Sequence, residues 1–221
     1  MTHAITLLDV VPLTPDTRHY VFSKPRGFDF KPGQATDLAL RKDGWSEEKR
    51  PFTFTSDPSA DVISFTVKSY EGSDSMTAQM WDLRPGATVD IGDAWGAIEN
   101  RGPGTFIAAG TGITPFIGIL NQLEKEGQLT GSHLIYGNST ARDIILRAKW
   151  EEMEDLELDL LTDKGEDGTR AGRPDGETLA QLITSFDGTF YVCGPPDMTD
   201  GVVEFLSAKG VSSDRIVQEE G

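Results

Sequence analysis

The pattern of apolar residues changes near residue 100, and this change constrains the fold more than any other feature of the chain. From residue 4 to about residue 98, short segments rich in β-branched and aromatic residues are separated by glycine, proline and aspartate. From about residue 105, strand-like apolar segments alternate with helix-like segments. The first pattern predicts an antiparallel β-barrel or sandwich, and the second predicts a parallel α/β sheet.

We predict two domains joined by the segment 99–104, which contains two glycines and a proline. The N-terminal domain is an antiparallel β-barrel over residues 1–98, and the C-terminal domain is an α/β domain over residues 105–221. A chain of 221 residues is long enough for two small domains. Barrel strands are expected at 4–11, 17–23, 35–40, 50–56, 62–69 and 87–91, with one helix at 75–83.

The same reasoning predicts alternating elements in the second domain. Thr114 is suited to cap a helix whose first residue is Pro115, because threonine favours the N-cap and proline the first helical position. Strands are expected at 105–109, 133–136, 156–161 and 189–193, and helices at 115–125, 144–153, 178–183 and 198–208.

Charge and cysteine content exclude several classes of protein. Lys and Arg number 20 against 36 Asp and Glu, a net charge of −16, so nucleic acids and anionic membranes are not expected partners. The single cysteine, Cys193, excludes an intrachain disulfide and a four-cysteine iron–sulfur cluster. The three histidines have no metal-ligand spacing, and we predict no metal site. With no long apolar run and no signal peptide, the cytoplasm is the expected compartment.

A glycine-rich loop follows the first strand of the second domain. Residues 110–115 read G-T-G-I-T-P and open a predicted helix. Glycines there let backbone N–H groups approach a phosphate, and a helix N-terminus favours negative charge. Pro115 stands where the dinucleotide fingerprint G-x-G-x-x-G has its third glycine. The loop by itself leaves pyrophosphate binding and a plain strand–helix turn equally open.

A second strand-to-helix junction contains the cysteine. Residues 191–198 read Y-V-C-G-P-P-D-M, at the carboxyl end of a predicted parallel strand, where open α/β sheets bind ligands. A lone buried cysteine is usually an inert small apolar side chain, and this interpretation of Cys193 stays open at this point.

The third segment, residues 50–56 with the sequence R-P-F-T-F-T-S, belongs to the predicted barrel. Strand alternation places Arg50 and Phe52 on one face and Pro51 and Thr53 on the other. Arginine can pair with a phosphate, an aromatic ring can stack on a flat ligand, and a hydroxyl can bond a ring nitrogen. An ordinary barrel strand is the alternative interpretation.

Together these segments resemble the ferredoxin–NADP reductase superfamily of flavoproteins, over essentially the whole chain and in the same order. Residues 30–34 (F-K-P-G-Q) are similar to the family's F-x-P-G-Q, and residues 93–96 (D-A-W-G) stand where the family often has G-P-F-G. Residues 72–77 look like its glycine-then-Ser/Thr loop, 110–115 like its G-T-G-I-T-P, and 193–198 like its C-G-P-x-x-M. The resemblance implies a flavin-binding barrel followed by an NAD(P)-binding domain.

The resemblance also implies roles for residues of the barrel. Arg50 contacts the flavin pyrophosphate, and Thr53 hydrogen-bonds flavin N5, which receives the hydride. Phe52 stands where the family usually has tyrosine, so stacking is retained but a phenolic hydroxyl is lost. Thr77, and less strongly Ser75, serve the pyrophosphate with backbone N–H groups. The implied flavin-binding residues are Arg50, Pro51, Phe52, Thr53, Ser75, Met76 and Thr77.

In the second domain, the resemblance implies a glycine-rich loop around the pyrophosphate of the nicotinamide nucleotide and a cysteine loop beside the nicotinamide. Glu219 lies near the flavin, and with Thr53 and Cys193 it completes the implied catalytic set. The terminal aromatic residue of many relatives is absent, so either the flavin face is more open or another residue covers it. The implied nucleotide-binding residues are Gly110, Thr111, Gly112, Thr114, Cys193, Gly194 and Pro195.

The coenzymes implied are FAD, favoured over FMN, and either NADH or NADPH. A 2′-phosphate requires positive partners near the end of the second parallel strand. Ser139 stands where many NADP-using members have arginine, and residues 138–147 look closer to the NADH-using cytochrome b5 reductase branch. Arg142, Arg170 and Arg173 could still bind a phosphate, so the preference for NADH is slight.

The function implied is a flavin-dependent NAD(P)H oxidoreductase that passes electrons to a ferredoxin, flavodoxin or similar acceptor, including a reductase-dependent oxygenase. Basic residues concentrate in the barrel half, at 24–26, 31, 41–42 and 49–50, where an acidic carrier could dock. Two alternatives stay open. One is an electron-transfer subunit of a larger complex, and the other is a nucleotide-binding regulatory module without chemistry.

Overall fold

The computed structural model describes residues 1–69, 73–96 and 98–219, and the chain forms two six-stranded sheets, one in each half. The first sheet pairs its strands antiparallel, and the second pairs them parallel with helices between them. The predicted combination of an antiparallel barrel and an α/β domain is confirmed. No helix in these three described ranges has the length and apolar character needed to cross a membrane.

Six strands and one helix make up the barrel half, and the strands pair in the order β4-β3-β6-β1-β2-β5. An isolated bridge between Phe54 and Phe65 brings the chain just after β4 against β5, which closes the sheet. The elements are β1 (His3–Thr14), β2 (Thr17–Ser23), β3 (Ala35–Leu40), β4 (Arg50–Thr53), β5 (Val62–Lys68), α1 (Met76–Trp81) and β6 (Thr88–Ile91).

Aromatic residues fill the barrel interior. Phe54 is fully buried and stacks on Phe30 with ring centroids 4.3 Å apart, and Phe65 lies 5.3 Å from the Phe54 ring. Burying one such ring stabilises a fold by about 1.5–3 kcal/mol. The predicted strand 50–56 ends at Thr53, and strict alternation fails beyond it. Phe54 and Thr55 are both buried, because the chain leaves β3 there and turns onto β5.

The second half is a parallel sheet with the strand order β10-β9-β8-β7-β11-β12. Its two outer strands, β10 and β12, are too short for the sequence pattern to have predicted them. The elements are β7 (Gly104–Ala109), α2 (Thr114–Lys125), β8 (Ser132–Asn138), α3 (Arg147–Glu152), β9 (Leu156–Thr162), β10 (Arg170–Ala171), α4 (Gly176–Leu182), β11 (Thr189–Cys193), α5 (Pro196–Ala208) and β12 (Ile216–Gln218).

All five helix starts differ from the predicted positions, by one to three residues, and two of the differences have a clear structural cause. Thr114 does not cap α2. It is the first helical residue, its hydroxyl donates to the carbonyl of Thr111, and a 3-10 turn over Gly110–Ile113 leads into the helix. The helix predicted from residue 144 begins only at Arg147, because Leu146 adopts a left-handed backbone conformation with φ of 56°.

Helix α2 packs directly on the barrel and so fixes the position of the two halves relative to each other. A Cβ built on Gly118 would lie 3.4 Å from Pro32, so the helix and the 30–34 loop are in close contact there. At the end of the helix, the ammonium of Lys125 lies 2.8 Å from the carboxylate of Asp57 in the barrel. The cleft between the halves therefore has the end of β7 and the start of α2 as one of its walls.

Candidate active site

A continuous cleft runs between the barrel and the parallel sheet. It consists of two cavities of about 650 and 560 Å³ that share four lining residues, Lys68, Ala109, Gly110 and Pro195. We call the larger cavity the barrel groove and the smaller one the strand-end cavity. The barrel groove has walls from both halves, whereas the strand-end cavity lies mainly at the carboxyl ends of the parallel strands.

The barrel groove brings together most of the residues that the sequence singled out. Strand β4 and helix α1 contribute one wall, and the loops after β7 and β11 contribute the opposite one. Roles in binding or catalysis remain predictions for all of them. The predicted residues that line the groove are Pro51, Phe52, Thr53, Thr77, Gly110, Thr111, Gly112, Thr114, Cys193, Gly194, Pro195 and Glu219.

Three predicted flavin-binding residues do not line the groove. The guanidinium of Arg50 is exposed and forms an ion pair with Glu48. The side chain of Met76 is buried in the barrel core. The hydroxyl of Ser75 caps α1 by accepting a hydrogen bond from the N–H of Ala78. Residue 72, at the start of the same predicted loop, lies outside the described residues.

Thr53 presents an uncommitted hydroxyl to the groove. Its side chain is partly buried and lines the cavity, and it makes no hydrogen bond to any residue that the structure describes. Phe52, next to it, packs edge-to-face on Phe65 with centroids 6.2 Å apart. An apolar ring and a free hydroxyl thus line the same groove from neighbouring positions of β4, although strand alternation directs the two side chains to opposite faces of the strand. Such a pair can hold a flat heteroaromatic ligand.

The two loops of the α/β domain meet at Gly112. A Cβ on this residue would lie only 2.1 Å from the carbonyl oxygen of Cys193, so no other amino acid fits. Gly110, two residues earlier, has φ of 53°, a left-handed conformation that favours glycine. The G-T-G sequence is therefore required by the turn and by the close approach of the β11 loop, whether or not a phosphate binds there.

The negative charge of Glu219 acts on the thiol of Cys193. Burial raises the pKa of the Cys193 thiol to about 12, and the negative charge of Glu219 contributes to the same shift. The carboxyl of Glu219 is open to solvent at the groove but has protein on several sides, and this partial desolvation raises its pKa. At neutral pH the thiol is protonated, so Cys193 is a neutral wall of the groove and not a nucleophile.

The strand-end cavity is acidic. Among the residues that the structure describes, two cationic side chains line it, Arg173 and Lys68, and both have acidic partners. Arg173 pairs with Asp163, which also lines the cavity, and Lys68 pairs with Asp16 at 2.9 Å. The aspartates that line the cavity are Asp143, Asp163, Asp175 and Asp197.

The other two candidate phosphate-binding arginines lie away from this cavity. Arg142 is 76% exposed and its nearest acidic partner is Asp143, at 3.9 Å, while Arg170 lies 3.8 Å from Asp159. Neither lines the strand-end cavity. Their positions were not evident in the sequence because Arg142 lies in a turn four residues after β8 and Arg170 begins the short strand β10, which no sequence pattern indicated.

Sequence reasoning missed several lining residues. Lys68 is the last residue of β5 and belongs to no motif, yet it borders both cavities. Trp95 was noted only as part of the D-A-W-G segment, and it lines the groove with an exposed indole. Asp163 comes directly after β9, and its place at a parallel strand end was the signal available for it.

Among the residues that the structure describes, one group of potential metal ligands is present, and it lies outside the cleft. The Nε2 atom of His133 is 3.0 Å from Asp159, and its Nδ1 atom is 3.9 Å from Glu157. The two carboxylates face opposite nitrogens of the imidazole, and Arg170 lies beside Asp159. This arrangement is a network of polar contacts across β8, β9 and β10, in which Arg170 and Asp159 form an ion pair. Sequence spacing did not indicate it because its members lie on neighbouring strands.

Comparison with known proteins supports the same picture. Residues 106–204 match the family of oxidoreductase NAD-binding domains. The chain is 30% identical to one of the subunits of 1,2-phenylacetyl-CoA epoxidase from Escherichia coli, with 95% of this chain and 65% of that protein covered. It is 25% identical to the reductase component of propane 2-monooxygenase from Mycolicibacterium goodii, with 94% and 65% covered. The chain thus spans 65% of the length of these relatives.

The fold is shared with a ferredoxin NADP+ reductase from Neisseria gonorrhoeae, whose structure contains FAD and NADP. The TM-score is 0.87 at 20% identity, with 99% of this chain and 98% of that chain covered. Fold and cleft define a two-domain protein with a barrel and an α/β domain. The resemblance seen in the sequence agrees with these findings: residues 106–204 match the family of oxidoreductase NAD-binding domains, and the whole chain shares the fold of a ferredoxin NADP+ reductase.

Proposed function

We propose that the protein is an FAD-dependent NAD(P)H oxidoreductase that delivers electrons to a protein acceptor. The observation that carries this proposal is the continuous cleft, in which the groove between the two halves opens into a cavity at the carboxyl ends of the parallel strands. Open α/β sheets bind nucleotides at such strand ends. Two ligands lying end to end in the two cavities would meet near the shared lining residues Ala109, Gly110 and Pro195.

The residues of the barrel groove fit a flavin. The groove has a volume of about 650 Å³, and Phe52 and Thr53 supply an apolar face and a free hydroxyl. The fold is that of a reductase whose structure contains FAD, so we propose FAD and not FMN. When bound, FAD accepts a hydride from a reduced nicotinamide and passes its electrons on, often singly.

The residues of this chain bind and orient the proposed coenzymes and exclude water from the groove. Thr53 donates or accepts one hydrogen bond at the ring edge, and Phe52 supports the ring. The Cys193 thiol, protonated because of its raised pKa, closes the opposite wall without adding charge. The Glu219 carboxyl, with its raised pKa, can hold a proton at the same end of the groove. The backbone N–H groups at the start of α2 favour a pyrophosphate.

We propose NADH as the preferred coenzyme. The strand-end cavity contains four aspartates, and its arginine is already paired with Asp163. A 2′-phosphate carries negative charge and needs uncommitted cationic partners. Aspartates at this position can instead accept hydrogen bonds from ribose hydroxyls. The geometry therefore favours NADH more strongly than the sequence alone did.

The acceptor is proposed to be an oxygenase component or a small electron carrier. The relatives named above are a subunit and a reductase component of oxygenase systems. Much of the basic cluster in the barrel is committed internally, since Arg41 pairs with Asp90 and Arg50 with Glu48. Lys31 has no ion pair with a described residue and lies two positions from Gly33 in the groove lining, so we propose it as a docking contact. The cytoplasm remains the proposed compartment.

The purified protein tests the proposal. We expect a yellow protein with flavin absorbance, which NADH bleaches anaerobically and at lower concentration than NADPH. We expect the purified protein to reduce ferricyanide with NADH as electron donor. Turnover that appears only after a partner subunit is added would favour the alternative, an electron-transfer subunit of a larger complex. A protein that binds NADH but no flavin would instead support the regulatory module and contradict our proposal.

A further inference from the structure

We propose that the indole of Trp95 forms an aromatic wall of the barrel groove and contacts the isoalloxazine ring of the bound flavin. This inference rests on the proposed function. Trp95 is 47% exposed, although it lies in the lining of a deep cleft. Exposed aromatic surface at a concave site is typical of ligand contacts, because a bound ring covers it.

The backbone of Trp95 is fixed beside the strand that carries Thr53. Ala35 donates its N–H to the carbonyl of Trp95 at 2.6 Å, and Trp95 donates its N–H to the carbonyl of Ala35 at 2.8 Å. Ala35 is in turn paired with Thr53 across β3 and β4. Two strand spacings, about 10 Å, therefore separate the backbones of Trp95 and Thr53. A three-ring heteroaromatic system that contacts Thr53 can extend to the indole.

The segment before Trp95 is anchored from the other side. The carboxylate of Asp93 accepts hydrogen bonds from the N-terminal amine at 2.5 Å and from His3 at 3.2 Å, and both hydrogen bonds lower the pKa of Asp93. The hydrogen bonds of Asp93 on one side of Ala94, and those between Trp95 and Ala35 on the other, hold residues 93–95 in place. The exposure of the indole therefore reflects a fixed position at the groove and not a loose loop.

The indole also separates the groove from the C-terminal strand. Trp95 borders a further cavity of about 620 Å³, whose other walls include Ile216, Val217 and Gln218 of β12. These residues lead directly to Glu219 in the groove lining. Trp95 thus stands between the groove and the strand that leads to Glu219.

The chemistry of the two aromatic residues in the groove provides a specific signal. Among the described residues that line the groove, Phe52 and Trp95 are the only aromatic ones. An indole in contact with an excited flavin donates an electron to it and quenches its fluorescence, whereas a phenylalanine ring is too difficult to oxidise. Flavin emission therefore reports the contact with Trp95 independently of turnover.

The experiment compares flavin emission from FAD-loaded wild type, Trp95→Phe and Trp95→Tyr. We expect emission in Trp95→Phe to rise several-fold with FAD still bound, and emission in Trp95→Tyr to stay low because tyrosine also quenches. Trp45→Phe is the matched control. Trp45 packs against the barrel core and does not line the groove, so its replacement should leave emission unchanged. Tyr70→Phe tests whether Tyr70, a second residue able to quench flavin emission, contributes to the low emission. Tyr70 lies outside the described residues.

The outcomes separate this inference from the proposed function. Equal emission from wild type and Trp95→Phe, in proteins that bind FAD and are reduced by NADH, would overturn the contact and leave the function standing. A rise in flavin emission in Tyr70→Phe, with unchanged emission in Trp95→Phe, would also overturn the contact between Trp95 and the flavin. A wild-type protein that binds no FAD would remove the proposed function and this inference together.

Discussion

The carboxylate of Asp163 holds the guanidinium of Arg173 through two hydrogen bonds, with 2.8 Å between Nε and Oδ1 and 3.2 Å between Nη2 and Oδ2. The hydrogen bonds with Arg173 lower the pKa of Asp163, so the carboxylate stays charged at neutral pH. Both residues line the strand-end cavity. The arginine that this cavity offers to a 2′-phosphate is therefore engaged by a competing anion.

Removing that anion should change coenzyme preference. In Asp163→Ala, Arg173 is released and a repulsive charge is lost, so we expect kcat/KM for NADPH to rise about tenfold. The value for NADH should change less. Steady-state kinetics with both coenzymes measure the ratio, and Asp187→Ala, at an exposed site outside the cavity, is the matched control. An unchanged NADPH to NADH ratio would count against the pair as a determinant of specificity.

Thr53 should affect the rate of flavin reduction more than flavin binding. Thr53→Val keeps the shape of the side chain but removes the hydroxyl, so we expect reduction by NADH to slow by about tenfold or more while FAD remains bound. Anaerobic stopped-flow absorbance measures the rate. Thr88→Val, on β6 and outside the groove, controls for the change of residue type. Identical reduction rates in Thr53→Val and wild type would remove Thr53 from the catalytic set.

Gly112 should be intolerant of even one methyl group. In Gly112→Ala the new Cβ would lie 2.1 Å from the carbonyl oxygen of Cys193, so the two loops must move apart. We expect the free energy of unfolding to fall by about 3 kcal/mol. Gly188→Ala is the control, because no atom lies within 4 Å of its Cβ position, and it should change stability by less than about 0.5 kcal/mol. Urea denaturation compares the two, and equal midpoints would contradict the close approach.

The raised pKa of Cys193 predicts how its reactivity and its contribution to stability depend on pH. The folded value is about 12 against 9.0 for an ordinary thiol, so the thiol resists alkylation at pH 8 and reacts in the unfolded chain. Because burial favours the neutral form, this stabilising contribution is complete below pH 9 and is lost as pH rises toward 12. Iodoacetamide labelling in native buffer and in urea compares the alkylation rates of Cys193 in the folded and the unfolded chain. Rapid labelling of the native protein at pH 8 would contradict the raised pKa.

Glu219→Gln should reduce the resistance of the Cys193 thiol to alkylation. The negative charge of Glu219 raises the pKa of the thiol, so its removal should lower this pKa and speed labelling at high pH. Glu204→Gln, an exposed site on α5 that does not line the groove, is the control. Equal labelling rates in Glu219→Gln and wild type would show that burial alone sets the pKa of Cys193.

The sequence by itself determined the two-part architecture and most of the groove. Periodicity is a local property, so short β segments before residue 98 and alternating elements after residue 105 could be recognised without tertiary information. The G-T-G-I-T-P and C-G-P segments were found for the same reason, because glycine and proline requirements are visible residue by residue.

Only the tertiary structure decided where individual side chains point and which charges meet. Asp163 and Arg173 are ten positions apart, and Trp95 reaches the groove through Ala35, which belongs to a strand some sixty residues earlier. The ion pair of Arg50 with Glu48 was not visible in the sequence either, and the contact of Arg50 with a flavin pyrophosphate stays a prediction. Direction, burial and ion pairing depend on neighbours brought together by folding, and no local pattern encodes them.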